Sequence, residues 1–396
     1  MSRTSFGTVT LVLALWLAGL GASAQFAKFA VPFSYVHLQY PDAGTELGWL
    51  LTLISSVGAV LGMTAGVLVA RAGLGRTVVT ALFLGGAISL WQSTLPALPV
   101  MLFSRVFEGI SHLMIVVAAP TLMAQLASDR YRGLCMTLWS TFFGVSFALM
   151  AWFGLSFVED QGLGALLTGH GIYMILTGLV IWVCLNRFGP TLSLPAEGIS
   201  LAIVLKKHLD AYRSPNVAAP AVGWFFYTLT FVSLLTLLPE LLPPESRAKI
   251  AGLLPLVSIA VSLLFVSALL SRFSAVAVTV LGFALSAVAI ALFFAGFSLP
   301  FVCIGLFSAL GLIQGASFAS VPELNLTNEA RATANGAVAQ MGNLGNLIGT
   351  PILLVVLANG GPPAMLMTVL GLYCAGGLAH LVLRRVRNSR AIQQQP

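Results

Sequence analysis

Apolar residues in this chain fall into long runs, not into the alternation of a half-exposed strand or the one-sided stripe of a soluble helix. Twelve runs are read near residues 8–34, 47–70, 77–95, 98–127, 133–157 and 168–186, then near 218–242, 249–270, 274–296, 299–325, 333–358 and 363–383. Each is long enough to cross a hydrocarbon core of about 30 Å. Helix is the expected element, because a segment surrounded by lipid must satisfy its own backbone hydrogen bonds. The period-two pattern of a membrane barrel is absent from the sequence. The pattern therefore predicts an all-α membrane protein of twelve transmembrane helices.

Composition points the same way. Of 396 residues, 58% are hydrophobic and 8% charged, against roughly 25% charged in a soluble domain. So few charges cannot cover a fold of this size, and a lipid bilayer must solvate much of its surface. The net charge of +7 does not make a nucleic-acid binder, since the basic residues stand singly or in small groups between apolar runs. Cys135, Cys184, Cys303 and Cys374 sit apart in hydrophobic stretches with no CxxC or metal-ligand spacing. They read as small core residues, and no metal or cofactor is expected.

The first run imitates a secretory signal, with Arg3, the stretch Val9–Leu20 and Ala22-Ser23-Ala24. Its apolar character continues through Phe33, too far for a signal core, so an uncleaved helix is expected. Orientation follows from Lys and Arg. With both termini inside, the inner loops hold Arg3, Arg71, Arg76, Arg130, Arg132, Arg187, Lys206, Lys207, Arg213, Arg272, Arg331, Arg384, Arg385, Arg387 and Arg390. The outer loops keep Arg247 and Lys249 among basic residues, beside Asp42, Glu46, Glu159, Asp160 and Glu245. This bias predicts cytoplasmic termini in a bacterial inner membrane and requires an even number of spans.

The longest hydrophilic gap divides the chain into an N-terminal six-helix bundle (1–187), a cytoplasmic linker (188–217) and a C-terminal six-helix bundle (218–396). Landmarks recur between the two halves at an offset near 202: Gly109 with Gly311, His112 with Gln314, Pro120 with Pro322, Arg71 with Arg272 and Gly133 with Gly336. Two pseudo-symmetric bundles with a solute held between them near mid-membrane are one plan of secondary transporters. Within the linker, Ile199–Arg213 carries apolar residues at helical spacing opposite Lys206, Lys207 and Asp210. It reads either as an interfacial amphipathic helix or as a plain solvated one.

The loop after the second run reads GVLVARAGLGR (Gly66–Arg76), and the fourth run contains RVFEG (Arg105–Gly109). These segments, in these spans, resemble the major facilitator superfamily, and the resemblance extends over essentially the whole chain. Gly66, Arg71, Gly73 and Arg76 fit that family's signature loop, whereas Ala70 stands where its acidic residue would be. Arg105 and Gly109 are similar to an arginine-glycine motif associated with proton coupling. The glycine-proline signature of antiporters is absent from Phe142–Met150. The resemblance implies a monomeric carrier that takes a small-molecule solute together with a proton or other coupling ion.

Charges inside spans are functional candidates by default, because each is costly to bury in lipid. Arg105, Glu108 and His112 recur at i, i+3 and i+7 and share one helical face. The proton-coupling reading makes Glu108 the acceptor, with Arg105 as its partner. The alternative is a local ion pair and a hydrogen-bonded neutral histidine. Lys28 lies about as deep as Arg105, so it either reaches Glu108 or the solute, or it snorkels outward. Two cations against one carboxylate favour an anionic organic solute.

Gln25, Lys28, Tyr227, Thr230, Gln314, Asn343 and Asn346 are candidate solute contacts; Tyr227, Thr230 and Gln314 also read as side chains bonded within their own helix, whereas the amides of Asn343 and Asn346 need a partner in lipid. Glu323 reads either as an inner-gate latch toward Arg130, Arg132 or Arg331 or as a hydrated side chain. Gly58, Gly62 and Gly66, with Gly345 and Gly349, supply GxxxG spacings suited to close helix contacts that slide.

An intramembrane enzyme would need HExxH, GxSxG or a His/Asp cluster, and an ATP-driven pump a GxxxxGK loop; the sequence has none of these. A channel would need a filter loop or an oligomeric ring. The expected function is secondary active transport, by proton-coupled symport or, as the alternative, drug or metabolite efflux.

Overall fold

A computed structural model describes residues 2–188 and 211–393, helical throughout and without β-strands among them. The elements are α1 (Ser2–Ala30), α2 (Phe33–Gln39), α3 (Leu47–Thr52), α4 (Ser56–Ala72), α5 (Leu74–Gln92), α6 (Leu98–Leu126), α7 (Asp129–Ser140), α8 (Phe142–Leu149) and α9 (Leu155–Phe188). After the linker come α10 (Pro215–Glu240), α11 (Pro244–Leu264), α12 (Val266–Leu270), α13 (Ala275–Phe294), α14 (Leu299–Leu324) and α15 (Asn328–Gln393). Of the expected linker helix, all but Ala211–Arg213 lies outside the described residues, and those three are helical.

Among the described residues, ten helical stretches are long and apolar enough to cross a membrane. Two of them, Arg130–Arg187 and Glu329–Ser389, run to 58 and 61 residues. Each is broken at one glycine in the left-handed region, Gly162 (φ 82°) and Gly361 (φ 69°). Sequence patterning leaves residues 158–167 unassigned between two runs; in the structure helix continues on both sides of Gly162. The polar residues there tolerate helix, and only the glycine supplies the backbone angle that breaks it.

Local chemistry accounts for several boundaries. Pro99, Pro215, Pro244 and Pro300 stand in the first turn of α6, α10, α11 and α14, where a missing N–H costs nothing. Ser214 and Ser274 cap α10 and α13 by accepting from Val217 N and Ala277 N. Gly73 (φ 87°) both ends α4 and begins α5, so the signature loop is a one-residue corner, with Arg71 and Arg76 exposed beside it.

The chain divides into two compact units, Met1–Val57 with Thr64–Gly198 and Gly58–Met63 with Ile199–Pro396. In the first, Leu15, Ala18, Ala81, Leu82, Ile115 and Ala118 form the buried centre where α1, α5 and α6 meet. In the second, α10 is the most enclosed helix, packed along α15.

The same devices recur inside each unit. Leu95 (φ 51°) and Gly296 (φ 90°) turn the chain before α6 and α14. A Cβ added at Gly109 would collide with the Ile54 carbonyl and press on Val57; one added at Gly311 would meet the Ser258 carbonyl and Val261 in the same way. Both glycines therefore set the approach distance of a neighbouring helix. Gly109→Leu and Gly311→Leu are expected to destabilise the protein by about 1–3 kcal/mol each through overpacking. Gly66→Leu, where an added Cβ meets nothing, is expected to melt with the wild type. Thermal unfolding in detergent checks the contrast, and equal melting of all three variants would refute it.

Candidate functional site

The fourth-span motif places Arg105 and Glu108 one turn apart on α6, and both are fully buried in the first unit. A buried ion requires an opposite charge and hydrogen bonds to replace its water. Glu108 has both. Its Oε1 accepts from Lys28 Nζ at 2.5 Å, and its Oε2 accepts from Gln92 Nε2 at 2.8 Å and from Arg105 Nη1. Lys28, on α1, is itself fully buried and points inward. It reaches the carboxylate and does not snorkel.

Neighbouring polar groups complete the cluster. The three ammonium hydrogens of Lys28 have three acceptors: Glu108 Oε1, Gln92 Oε1 at 2.7 Å and Ser89 Oγ at 2.9 Å. Gln92 spends its second amide hydrogen on Ser104 Oγ at 2.9 Å. Arg105 Nε donates to the Leu50 carbonyl at 2.8 Å, which ties in α3. The Phe29 ring lies 5.5 Å from Lys28 Nζ and 4.9 Å from Arg105 Cζ, offering its face to both cations. Arg105 Nη2 is buried without a hydrogen-bond partner. Two cations share one carboxylate, so the cluster carries a surplus positive charge.

Ser89, Gln92, Ser104 and His170 were not singled out by the sequence reading. Ser89 and Gln92 stand at i and i+3 on α5, a polar pair on one face of an otherwise apolar run, and that spacing was the available signal. His170, an ionisable residue in the sixth run, carried the same default claim to function as His112. Its Nδ1 lies 2.8 Å from Ser89 Oγ and its Nε2 lies 3.0 Å from the Gly21 carbonyl.

The remaining candidates fall elsewhere. His112 shares its helical face with Glu108 but bonds through Nδ1 to the Ala22 carbonyl at 3.0 Å and packs edge-on to Phe26. Gln25 donates to Ser111 Oγ at 3.0 Å and leaves its Oε1 buried without a partner. In the second unit Tyr227 is stacked between Trp224 and Phe231, with ring centroids 4.6 and 4.9 Å away. Thr230 bonds back to the Phe226 and Tyr227 carbonyls, and Asn343 to the Ala339 carbonyl, each within its own helix. Gln314 accepts from Ser258 at 3.4 Å, and Asn346 keeps a buried, unpartnered Oδ1.

Glu323 accepts from the backbone N of Ala275 at 2.6 Å and so caps α13, while Arg331 Nε turns to the Asn325 carbonyl at 2.9 Å. Gly58 and Gly62 lie against Asn343 and the Gln340 backbone of α15, and Gln340 Nε2 donates to the Ala59 carbonyl at 3.0 Å. Gly345 and Gly349 face α10 at Phe225 and Leu229.

The surplus charge fixes an order of stability. Glu108→Ala leaves two buried cations uncompensated and is expected to cost about 3–5 kcal/mol. Lys28→Met leaves a neutral Arg105–Glu108 pair and is expected to cost distinctly less. Chemical or thermal unfolding of the purified variants measures this, and the reverse order would show that the cluster is not held by charge. In comparison with known proteins, a model of the Major Facilitator Superfamily fits residues 11–244, more than half of the chain. No curated protein matches. With its many apolar helices and an ion cluster buried among them, this multi-pass membrane protein belongs to the Major Facilitator Superfamily, a family of transporters of small solutes.

Proposed function

We propose that the chain is a proton-coupled secondary active transporter for a small organic anion, working by alternating access. It is built as twelve spans in two six-helix bundles, residues 1–187 and 218–396, joined by a cytoplasmic linker at 188–217. The count of twelve takes Gly162 and Gly361 as the turns that divide the two longest helical stretches. A stretch of 58 residues rises about 87 Å if fully helical, nearly three hydrocarbon thicknesses. The recurrence of Leu95 in Gly296, of Gly162 in Gly361 and of the Gly109 contact in the Gly311 contact supports the duplicated plan. The bias of Lys and Arg supports cytoplasmic termini in a bacterial inner membrane.

The observation that carries the functional reading is Glu108 bonded at once to Lys28, Arg105 and Gln92. A carboxylate held this way has both oxygens bonded while both cations are in place. It becomes an acceptor when a change of state draws one cation off, and that exchange is the elementary step of coupling. The surplus positive charge gives an anionic solute an electrostatic counterpart without a second buried carboxylate to repel it. Gating falls to the glycine contacts of Gly58, Gly62, Gly345 and Gly349 and to the Gly73 corner with Arg71 and Arg76.

Proteoliposomes loaded with a pH gradient and offered a panel of labelled carboxylates and other small anions test the reading. Uptake above equilibrium that collapses with a protonophore is expected for at least one anion. Glu108→Gln is expected to abolish accumulation while solute exchange at equal concentrations survives. Normal accumulation by this variant would remove Glu108 from the coupling step.

A further inference from the structure

His170 has no part in the ion cluster as a charge, yet it is the next link beyond it. The Gly21 carbonyl can only accept, so the hydrogen of the ring lies on Nε2, and in the neutral imidazole Nδ1 is an acceptor. Ser89 Oγ stands between this nitrogen, at 2.8 Å, and Lys28 Nζ, at 2.9 Å. The single hydroxyl hydrogen of Ser89 has two acceptors in reach, His170 Nδ1 at 2.8 Å and the Leu167 carbonyl at 3.0 Å; in the arrangement that serves the relay Lys28 donates to Ser89 and Ser89 donates to His170. In the other, His170 donates through Nδ1 to Ser89, and Ser89 donates to the lone pair of a neutral Lys28. Both use the same heavy-atom positions, and both leave Lys28 two hydrogens for Glu108 Oε1 and Gln92 Oε1.

We propose that Ser89 relays a proton between Lys28 and His170, making His170 the second station for the positive charge of the site. The inference rests on the proton-coupled reading above and adds a route to it. In the step the Lys28 Nζ–H bond breaks as a bond forms to Ser89 Oγ, while the original Ser89 O–H bond breaks as one forms to His170 Nδ1. Lys28 ends as a neutral amine, His170 as an imidazolium and Ser89 unchanged. The charge leaves the carboxylate, so Arg105 and Glu108 remain as a balanced pair. The charged groups that act on His170 are Lys28 from α1 and Glu108 and Arg105 from α6. Of the three links, Lys28 and Ser89 are wholly buried and His170 alone keeps some exposed surface, 7%. The relay thus leads from the enclosed ammonium toward the boundary of the unit.

The test follows the proton itself and needs no solute. The full chain, labelled with ¹⁵N-lysine and held in lipid nanodiscs, gives a Lys28 ammonium signal identified by its loss in Lys28→Met. Its rate of hydrogen exchange with water is then measured. Ser89→Ala removes the relay atom and is expected to slow exchange by about tenfold or more. His170→Gln, which can still donate to Gly21 and accept from Ser89 but carries no proton onward, is expected to slow it as much. Ser89→Thr, which keeps the hydroxyl, is expected to exchange as the wild type does. Wild-type exchange in His170→Gln overturns the proposal, whether or not Ser89→Ala folds. An unaltered rate in Ser89→Ala overturns it as well. Normal accumulation by Glu108→Gln would instead overturn the coupling role of that carboxylate and leave these exchange rates as stated.

Discussion

One carboxylate in an apolar interior determines how the first unit is put together. Neither Lys28 nor Arg105 could remain ionised where it lies without Glu108, because an uncompensated buried charge costs several kcal/mol. Each donor to that carboxylate belongs to a particular helix: Lys28 to α1, Gln92 to α5 and Arg105 to α6 itself, with Arg105 also bonded to α3 through the Leu50 carbonyl. Ser89 continues the network to α9 through His170. Helix positions and charge state are consequently one variable. On the proposed coupling, a proton arriving at Glu108 would release its hold on two cations carried by different helices, and would turn chemical energy into displacement provided two arrangements differ in how well they bind the proton.

Much of this was legible in the chain because burial in lipid leaves a coarse signature. Long apolar runs identified the helices, and the three-residue spacing of Arg105 and Glu108 put the pair on one face before any contact was known. Depth along the span brought Lys28 near them. Spacing alone could not decide between an inward and an outward lysine, since a lysine stem suits both; three acceptors meeting at one nitrogen show it turned into the first unit. Ser89 and Gln92 were passed over because serine and glutamine are common in membrane helices as groups bonded to their own backbone. Thr230 and Asn343, picked for their polarity, bond within their own helices. What separates the two pairs is the register of neighbouring helices, a tertiary property.

The repeat gives this contrast a sharper form. At the offset of 202 that relates Gly109 to Gly311, the positions of Lys28, Arg105 and Glu108 are taken in the second unit by Thr230, Phe307 and Leu310. All three are buried there too, and Phe307 packs against Phe231 with ring centroids 5.5 Å apart. The glycine contacts that set helix spacing occur in both units, whereas the ions occur in one. At those positions the second unit is packed without an ion, by a threonine bonded to its own helix and two apolar side chains.

That asymmetry bears on why the cluster is present at all. Replacing a buried ion network by well-packed apolar residues is commonly neutral or stabilising, and Phe307 and Leu310 stand at two of the three matching positions. An ion network that is expensive to assemble, and that the second unit lacks at the matching positions, is on the proposed reading kept for a charge able to change its partners. In the second unit the Oδ1 of Asn346 and both ring nitrogens of His380 are buried without hydrogen-bond partners, and Glu240 pairs with Arg247 at 3.2 Å, each partly exposed.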